Sequence, residues 1–302
     1  MPTDEELKRP AASQLAVLGQ PIAHSKSPAI HRAAYEVLDL PWEYGRVECG
    51  ESELASFLES RDATWRGLSL TMPLKEEARR LARVVDPVAE ESGVVNTLLR
   101  LTDDASGRAQ WAGFNTDVAG LAAAIQRSGL DASRTVVLGS GATAVSAILA
   151  ARSLGARQIE LIARNVKAIG ELVARFDATS EPAGEPVHVS GTVLEHAERA
   201  YTAAEIAATT LVISTLPGPA ARDAAIPASL TRVPLFDVAY DPWPSPLAER
   251  WRGAGGDAFA GLDMLVEQAL IQIRIFVNGD PHARLDGEQQ LTDVMRSASV
   301  GG

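Results

Sequence analysis

Gly139-Ser140-Gly141-Ala142-Thr143-Ala144 follows the apolar run Thr135-Val136-Val137-Leu138 and opens a helix-like stretch through Ala151. Two glycines let a backbone approach a pyrophosphate, a small residue at 144 lets the helix lie close on its strand, and a helix N-terminus supplies N–H groups and positive dipole. The pattern predicts a strand, a glycine-rich turn and a helix, the opening unit of a dinucleotide-binding α/β fold; a tight turn that holds no ligand is the plainer alternative. A second apolar run, Gln158-Ile159-Glu160-Leu161-Ile162-Ala163, ends in Arg164-Asn165-Val166-Lys167, about where such folds meet the adenine ribose. An acid there would bind the free ribose hydroxyls of NAD. Arg164 and Lys167 instead suit the extra phosphate of NADP, with Arg164 able to pair it bidentately, although Lys167 could equally start a solvated helix.

Working outward, the chain has 302 residues, 46% of them hydrophobic and 22% charged, enough for two globular domains with their own cores. No apolar run of about 18 residues suggests a spanning helix, and Met1 to Ala12 is polar and acidic where a signal peptide would be basic and then apolar. The expectation is a soluble, cytoplasmic protein with no membrane partner. A formal net charge of −11 argues against a nucleic-acid surface, so any anionic ligand must be held by local groups. Cys49 is the single cysteine and has no His/Cys cluster beside it. Neither an intrachain disulfide nor a metal site is expected, and Cys49 reads as a small buried residue.

The first third alternates strand-like and helix-like segments: a strand at 14–19, a helix after Pro28, a strand near 44–48, a helix over 52–59, a strand at 67–70 and a helix after Pro73. This βαβ pattern predicts a mostly parallel sheet covered by helices. Val118, Leu121, Ala122 and Ile125 recur at helical spacing before Ser128-Gly129, giving a helix that links two domains. Beyond the glycine-rich turn, strands are expected at 210–214 and 235–238 and a helix over 263–277, whose related faces carry Leu265, Gln268, Ala269 and Gln272. The stretch from Asp177 to Pro186 reads as an exposed loop, and residues 178–204 exceed what a compact domain needs. Two α/β domains separated by a cleft follow: residues 1–117 completed by 260–302, and a Rossmann-like unit over 118–259.

Four polar segments stand out in the first part. In Gly19-Gln20-Pro21-Ile22-Ala23-His24-Ser25-Lys26-Ser27-Pro28, Pro28 suits the first helical position and Ser27 the N-cap; Ser25, not needed for that cap, joins Ser27 as a receptor for a small carboxylate. Ser69-Leu70-Thr71-Met72-Pro73-Leu74-Lys75 ends a strand and starts a helix, placing Thr71 and Lys75 at the carboxyl edge of a sheet, where a protonated lysine can donate to a substrate oxygen. Gly93-Val94-Val95-Asn96-Thr97 and Gly113-Phe114-Asn115-Thr116-Asp117 are polar knots in apolar surroundings. Asn115 or Thr116 can cap the following helix, and Asp117 falls where the two domains are expected to meet.

In order and spacing, Gly19-x-Pro21-Ile22-x-His24-Ser25-x-Ser27-Pro28, Thr71-Met72-Pro73-x-Lys75, Val95-Asn96-Thr97 and Asn115-Thr116-Asp117 resemble the signatures of the shikimate dehydrogenases. The likeness continues through the glycine-rich turn, Ala163-Arg164-Asn165, Asp237-x-x-Tyr240 and Gly261-Leu262-x-Met264-Leu265-Val266-x-Gln268, and so covers roughly residues 14–280. It implies NADP-dependent interconversion of 3-dehydroshikimate and shikimate by a monomer or homodimer. Lys75 and Asp117 would be the catalytic pair, acting on the oxygen at carbon 3. Ser25 and Ser27 would hold the substrate carboxylate; Thr71, Asn96, Asp117, Tyr240 and Gln268 would meet its hydroxyls or ring. Gly139, Ser140, Gly141, Ala142, Thr143, Arg164, Asn165 and Lys167 would hold NADP, with Thr215, Val238 and Gly261 at its nicotinamide end. Ser69 stands where many members carry Asn, and Ala163 and Ala168 replace an Asn and a basic residue near the ribose phosphate. The competing readings are a relative that oxidises quinate or uses NAD, and a nucleotide-sensing module without catalysis.

Overall fold

The computed structural model describes residues 13–103, 105, 107–179, 184–200 and 202–300. These divide into two compact units, one ending at Thr116 and resuming at Gln268, the other Asp117–Glu267. The first runs β1 (Ser13–Gly19), α1 (Ser27–Val37), β2 (Trp42–Glu48), α2 (Leu54–Glu59), β3 (Trp65–Leu70), α3 (Lys75–Leu81), β4 (Val84–Val85), α4 (Pro87–Ser92), β5 (Thr97–Arg100) and β6 (Trp111–Phe114). The second runs α5 (Asp117–Arg127), β7 (Arg134–Leu138), α6 (Ala142–Ser153), β8 (Gln158–Ala163), α7 (Val166–Phe176), β9 (His188–Val193), α8 (Ala197–Ala200), α9 (Ala203–Ala208), β10 (Leu211–Ser214), α10 (Gly218–Arg222), β11 (Leu235–Asp237), α11 (Pro246–Gly253) and β12 (Ala258–Ala260). Helix α12 (Leu262–Asn278) carries the chain back, so the boundary expected near 260 falls inside a helix, and α13 (Glu288–Val300) packs on α1.

The first unit holds a six-stranded sheet in the order β2-β1-β3-β5-β6-β4. β1 pairs in parallel with β2 and β3, as the βαβ pattern requires. β5 is antiparallel to both β3 and β6, a local reversal that its four residues did not advertise. Leu18, Leu54, Leu68, Leu70, Leu74, Leu98 and Trp111 form a core on this sheet. Cys49 is buried and free, as its surroundings in the sequence suggested.

The second unit is a six-stranded, all-parallel sheet in the order β12-β11-β10-β7-β8-β9. Counted from β7, this is the 6-5-4-1-2-3 order of a dinucleotide fold, with its reversal point between β7 and β10. Continuous apolar runs such as Val136-Val137-Leu138 and Leu211-Val212-Ile213 are buried because helices cover both faces. α6 is buried nearly all round, which its alanines permit. Of the long segment 178–204, residues 188–193 form the edge strand β9, so it completes the sheet rather than exceeding the domain; within it, 180–183 and 201 lie outside the described residues. Among the described residues, no helix is long and apolar enough to cross a membrane.

Candidate active site

In the first unit, backbone hydrogen bonds stitch the polar segments to one another at the carboxyl ends of β1 and β3. Thr71 N–H donates to Leu18 C=O at 2.9 Å and Gln20 N–H to Met72 C=O at 3.0 Å. Val95 N–H donates to the Lys75 carbonyl at 2.9 Å, and Leu70 N–H to the Asn96 carbonyl at 2.7 Å. Lys75, half-buried, is the first residue of α3. A Cβ on Gly19 would stand 2.4 Å from Thr71 Cγ2, so the glycine is what lets the two segments touch. Arg46 Nε donates to Ser25 C=O at 3.0 Å and holds the serine loop against β2.

The helix expected after Ser27 starts one residue early. Ser27 is already the first residue of α1, Lys26 occupies the cap position without a side-chain cap bond, and Ser25 Oγ accepts from Ser27 N–H at 3.3 Å. The serine expected to be uninvolved therefore does the capping, because it is the hydroxyl two residues upstream that reaches a free first-turn N–H. Both serines are buried.

Asn96 and Gln268 meet in a buried polar cluster with Thr116: Asn96 Nδ2 donates to Thr116 Oγ1 at 2.9 Å and to Gln268 Oε1 at 3.4 Å. Thr116 N–H in turn donates to Asn96 Oδ1 at 2.9 Å. Asn115 Nδ2 donates to Ser92 Oγ at 2.8 Å, and Asn115 N–H to Asp86 Oδ1 at 3.3 Å, which anchors the chain just before Asp117. Burial raises the Asp86 carboxyl, against N–H bonds from Ala89 and Asn115 that favour its charged form. Asp117, buried, opens α5 and belongs to the second unit. The cluster also contains groups that the sequence reading did not single out as site residues: Ser69, Thr97 and Gln272. For Gln272 a signal existed, since it lies one helical turn from Gln268 on α12.

The remaining predicted residues lie in the second unit, at the carboxyl ends of its strands. Gly139, after β7, has φ +119° and a Cβ there would stand 2.4 Å from Thr215 Oγ1, itself bonded to Leu138 C=O at 2.9 Å. Above Gly141 the space is open: a Cβ would meet nothing within 4 Å. A tight turn at the reversal point, followed by open space at the start of α6, matches what a pyrophosphate needs. Ser140, Ala142 and Thr143 belong to the same turn and first helical residues. Arg164 is exposed after β8, and among the described residues its guanidinium has no hydrogen-bond or ion-pair partner. Asn165 caps α7, accepting from Ala168 N–H at 3.1 Å, and exposed Lys167 lies 3.6 Å from Glu171 one turn on.

Gly261 is required by packing, since a Cβ would stand 2.0 Å from the Val238 carbonyl. Asp237 anchors the loop that follows it: its buried carboxyl accepts from Ser245 Oγ at 2.5 Å and from Ala239 N–H at 3.3 Å, in the loop that also carries Val238 and half-buried Tyr240. Burial raises the Asp237 carboxyl, and those two donors oppose the rise.

Comparison with known proteins fits this arrangement. Residues 17–98 match the family model described as the shikimate dehydrogenase substrate binding domain. The crystal structure of Mycobacterium tuberculosis shikimate dehydrogenase is 34% identical, with a TM-score of 0.78 over 96% of this chain and 100% of that one. The chain belongs to the shikimate dehydrogenase family. The Thermus thermophilus shikimate 5-dehydrogenase, solved in complex with NADP(H) and shikimate, is 27% identical with a TM-score of 0.74 over 95% and 99% of the two chains. A shikimate dehydrogenase (NADP(+)) of Prochlorococcus marinus strain AS9601 is 27% identical over 279 residues, 88% of this chain and 92% of the relative.

Proposed function

We propose that this shikimate dehydrogenase family member is an NADP-dependent oxidoreductase that interconverts 3-dehydroshikimate and shikimate, with Lys75 and Asp117 as its acid/base pair. The observation that carries the reading is the gathering of Ser25, Ser27, Thr71, Lys75, Asn96 and Gln268 in one unit, while the other presents a glycine turn with open space at its strand-order reversal. The first unit is the substrate domain and the second the nucleotide domain.

Ser25 and Ser27, at the start of α1, receive the substrate carboxylate beside the helix N-terminus. Thr71, Asn96, Asp117, Tyr240 and Gln268 hold the ring and its hydroxyls, which turns a bimolecular encounter into an oriented one. NADP, when bound, supplies the hydride donor or acceptor. Lys75 gives a proton to the carbonyl oxygen at carbon 3 during reduction and takes it back from the hydroxyl during oxidation, and Asp117 orients its ammonium. Gly139, Ser140, Gly141, Ala142 and Thr143 hold the pyrophosphate; Arg164, Asn165 and Lys167 hold the ribose phosphate; Thr215, Val238 and Gly261 line the nicotinamide end. The test is Lys75→Ala: turnover is expected to fall by a factor on the order of 10² to 10⁴ while shikimate still binds. Turnover equal to wild type would remove Lys75 from the mechanism.

A further inference from the structure

Two backbone groups fix the polarity of the whole buried cluster in the first unit. A backbone N–H can only donate, so Thr116 N–H, 2.9 Å from Asn96, must face the amide oxygen Oδ1. A backbone carbonyl can only accept, so the Asn96 carbonyl, 3.4 Å from Gln272, must face Nε2. The rest follows by elimination. Gln272 Oε1 accepts from Ser69 Oγ at 2.8 Å, and Ser69 Oγ, its proton used, accepts from Tyr44 O–H at 2.6 Å. Gln272 Nε2 donates to Thr97 Oγ1 at 2.9 Å, and Thr97 passes its own proton to Asn96 Oδ1 at 2.9 Å. Asn96 Oδ1 then holds two donors, so the Thr116 hydroxyl directs its proton to Gln268 Oε1 at 3.3 Å. The Tyr44 ring that begins the chain is clamped by His31, stacked at 4.0 Å and 14°.

We infer that Gln272 is a positioning residue that holds Asn96 and Gln268 in place for the substrate through this one-way chain from Tyr44 to Gln268. Asn96 Nδ2 carries the chain on, donating to Thr116 Oγ1 at 2.9 Å, so the Asn96 amide is held from both ends and cannot flip without breaking bonds on both. Hydrogen bonds running in one direction polarise one another, and a group removed mid-chain weakens those beyond it. The inference rests on the proposed substrate contacts of Asn96 and Gln268, and its test separates the two.

Steady-state kinetics would be measured for Gln272→Leu, Ser69→Ala and Tyr44→Phe, with Asn96→Ala and Gln268→Leu as direct-contact variants. Gln272→Leu should raise the KM for shikimate about tenfold, the equivalent of about 1.4 kcal/mol. Ser69→Ala and Tyr44→Phe, further up the chain and milder in volume, should give successively smaller rises. The KM for NADP⁺ should not move in any of the three, a split that general loosening of the fold would not give. An effect in the direct-contact variants with none in Gln272→Leu and Ser69→Ala would overturn the chain alone. An unchanged KM in Asn96→Ala and Gln268→Leu would overturn the substrate reading and the inference with it.

Discussion

Acidification should destabilise this fold through one imidazole. His31 is fully buried on α1, with Nδ1–H donating to Ser27 C=O at 2.9 Å and Nε2 without a hydrogen-bond partner. Burial pushes its pKa down from 6.5 to about 4, outweighing the hydrogen bond to Ser27 and the neighbouring Gln272 side chain, which both act in the opposite direction. The folded protein therefore keeps His31 neutral where the unfolded chain already takes up a proton. That stability is fully present above pH 6.5, falls as pH drops from 6.5 to about 4, and changes no further below it. At about 1.4 kcal/mol per pKa unit, the loss across the window is about 3 kcal/mol. Urea unfolding of wild type and His31→Gln at several pH values between 4 and 7.5 isolates the effect, since carboxylates titrate in both. The wild type should lose about 3 kcal/mol more than the variant between pH 6.5 and 4. Parallel curves, or an imidazole resonance titrating near 6.5 in the folded protein, would mean that burial does not hold His31 neutral.

The glycines of the nucleotide turn should separate by role. Gly139→Ala meets Thr215 Oγ1 at a positive φ and should cost about 1–3 kcal/mol in thermal or urea unfolding. Gly141→Ala, at φ −90° with open space around it, should leave stability within about 0.5 kcal/mol while calorimetry finds NADP⁺ bound at least about tenfold more weakly. Arg164→Ser should raise the KM for NADP⁺ by roughly tenfold to a hundredfold and leave that for NAD⁺ unchanged, since only the former carries the phosphate that the guanidinium would pair.

The parts of this molecule that obey local rules could be read in the chain. β1, β3, β7 and β8 are apolar runs next to glycine or proline punctuation, and α5 and α12 carry their buried faces at helical spacing. The antiparallel turn of β5 between β3 and β6 was not legible, because four residues set no period and the reversal is decided by partners distant in sequence. The cap at α1 misled by one residue, since Ser25 and Ser27 are equally good cap formers and only the backbone path chooses. Of the candidate site, the motif residues were visible as residue types, but the directed chain through Tyr44, Ser69 and Gln272 was not. It joins β2, β3 and α12, and exists only once those elements are packed.

The most direct measurement is reduced-nicotinamide absorbance with purified protein, comparing kcat/KM for shikimate and quinate, each with NADP⁺ and NAD⁺. The rate should be confined largely to shikimate with NADP⁺. Comparable rates with quinate or NAD⁺, or no rate in any pairing, would contradict the proposed function.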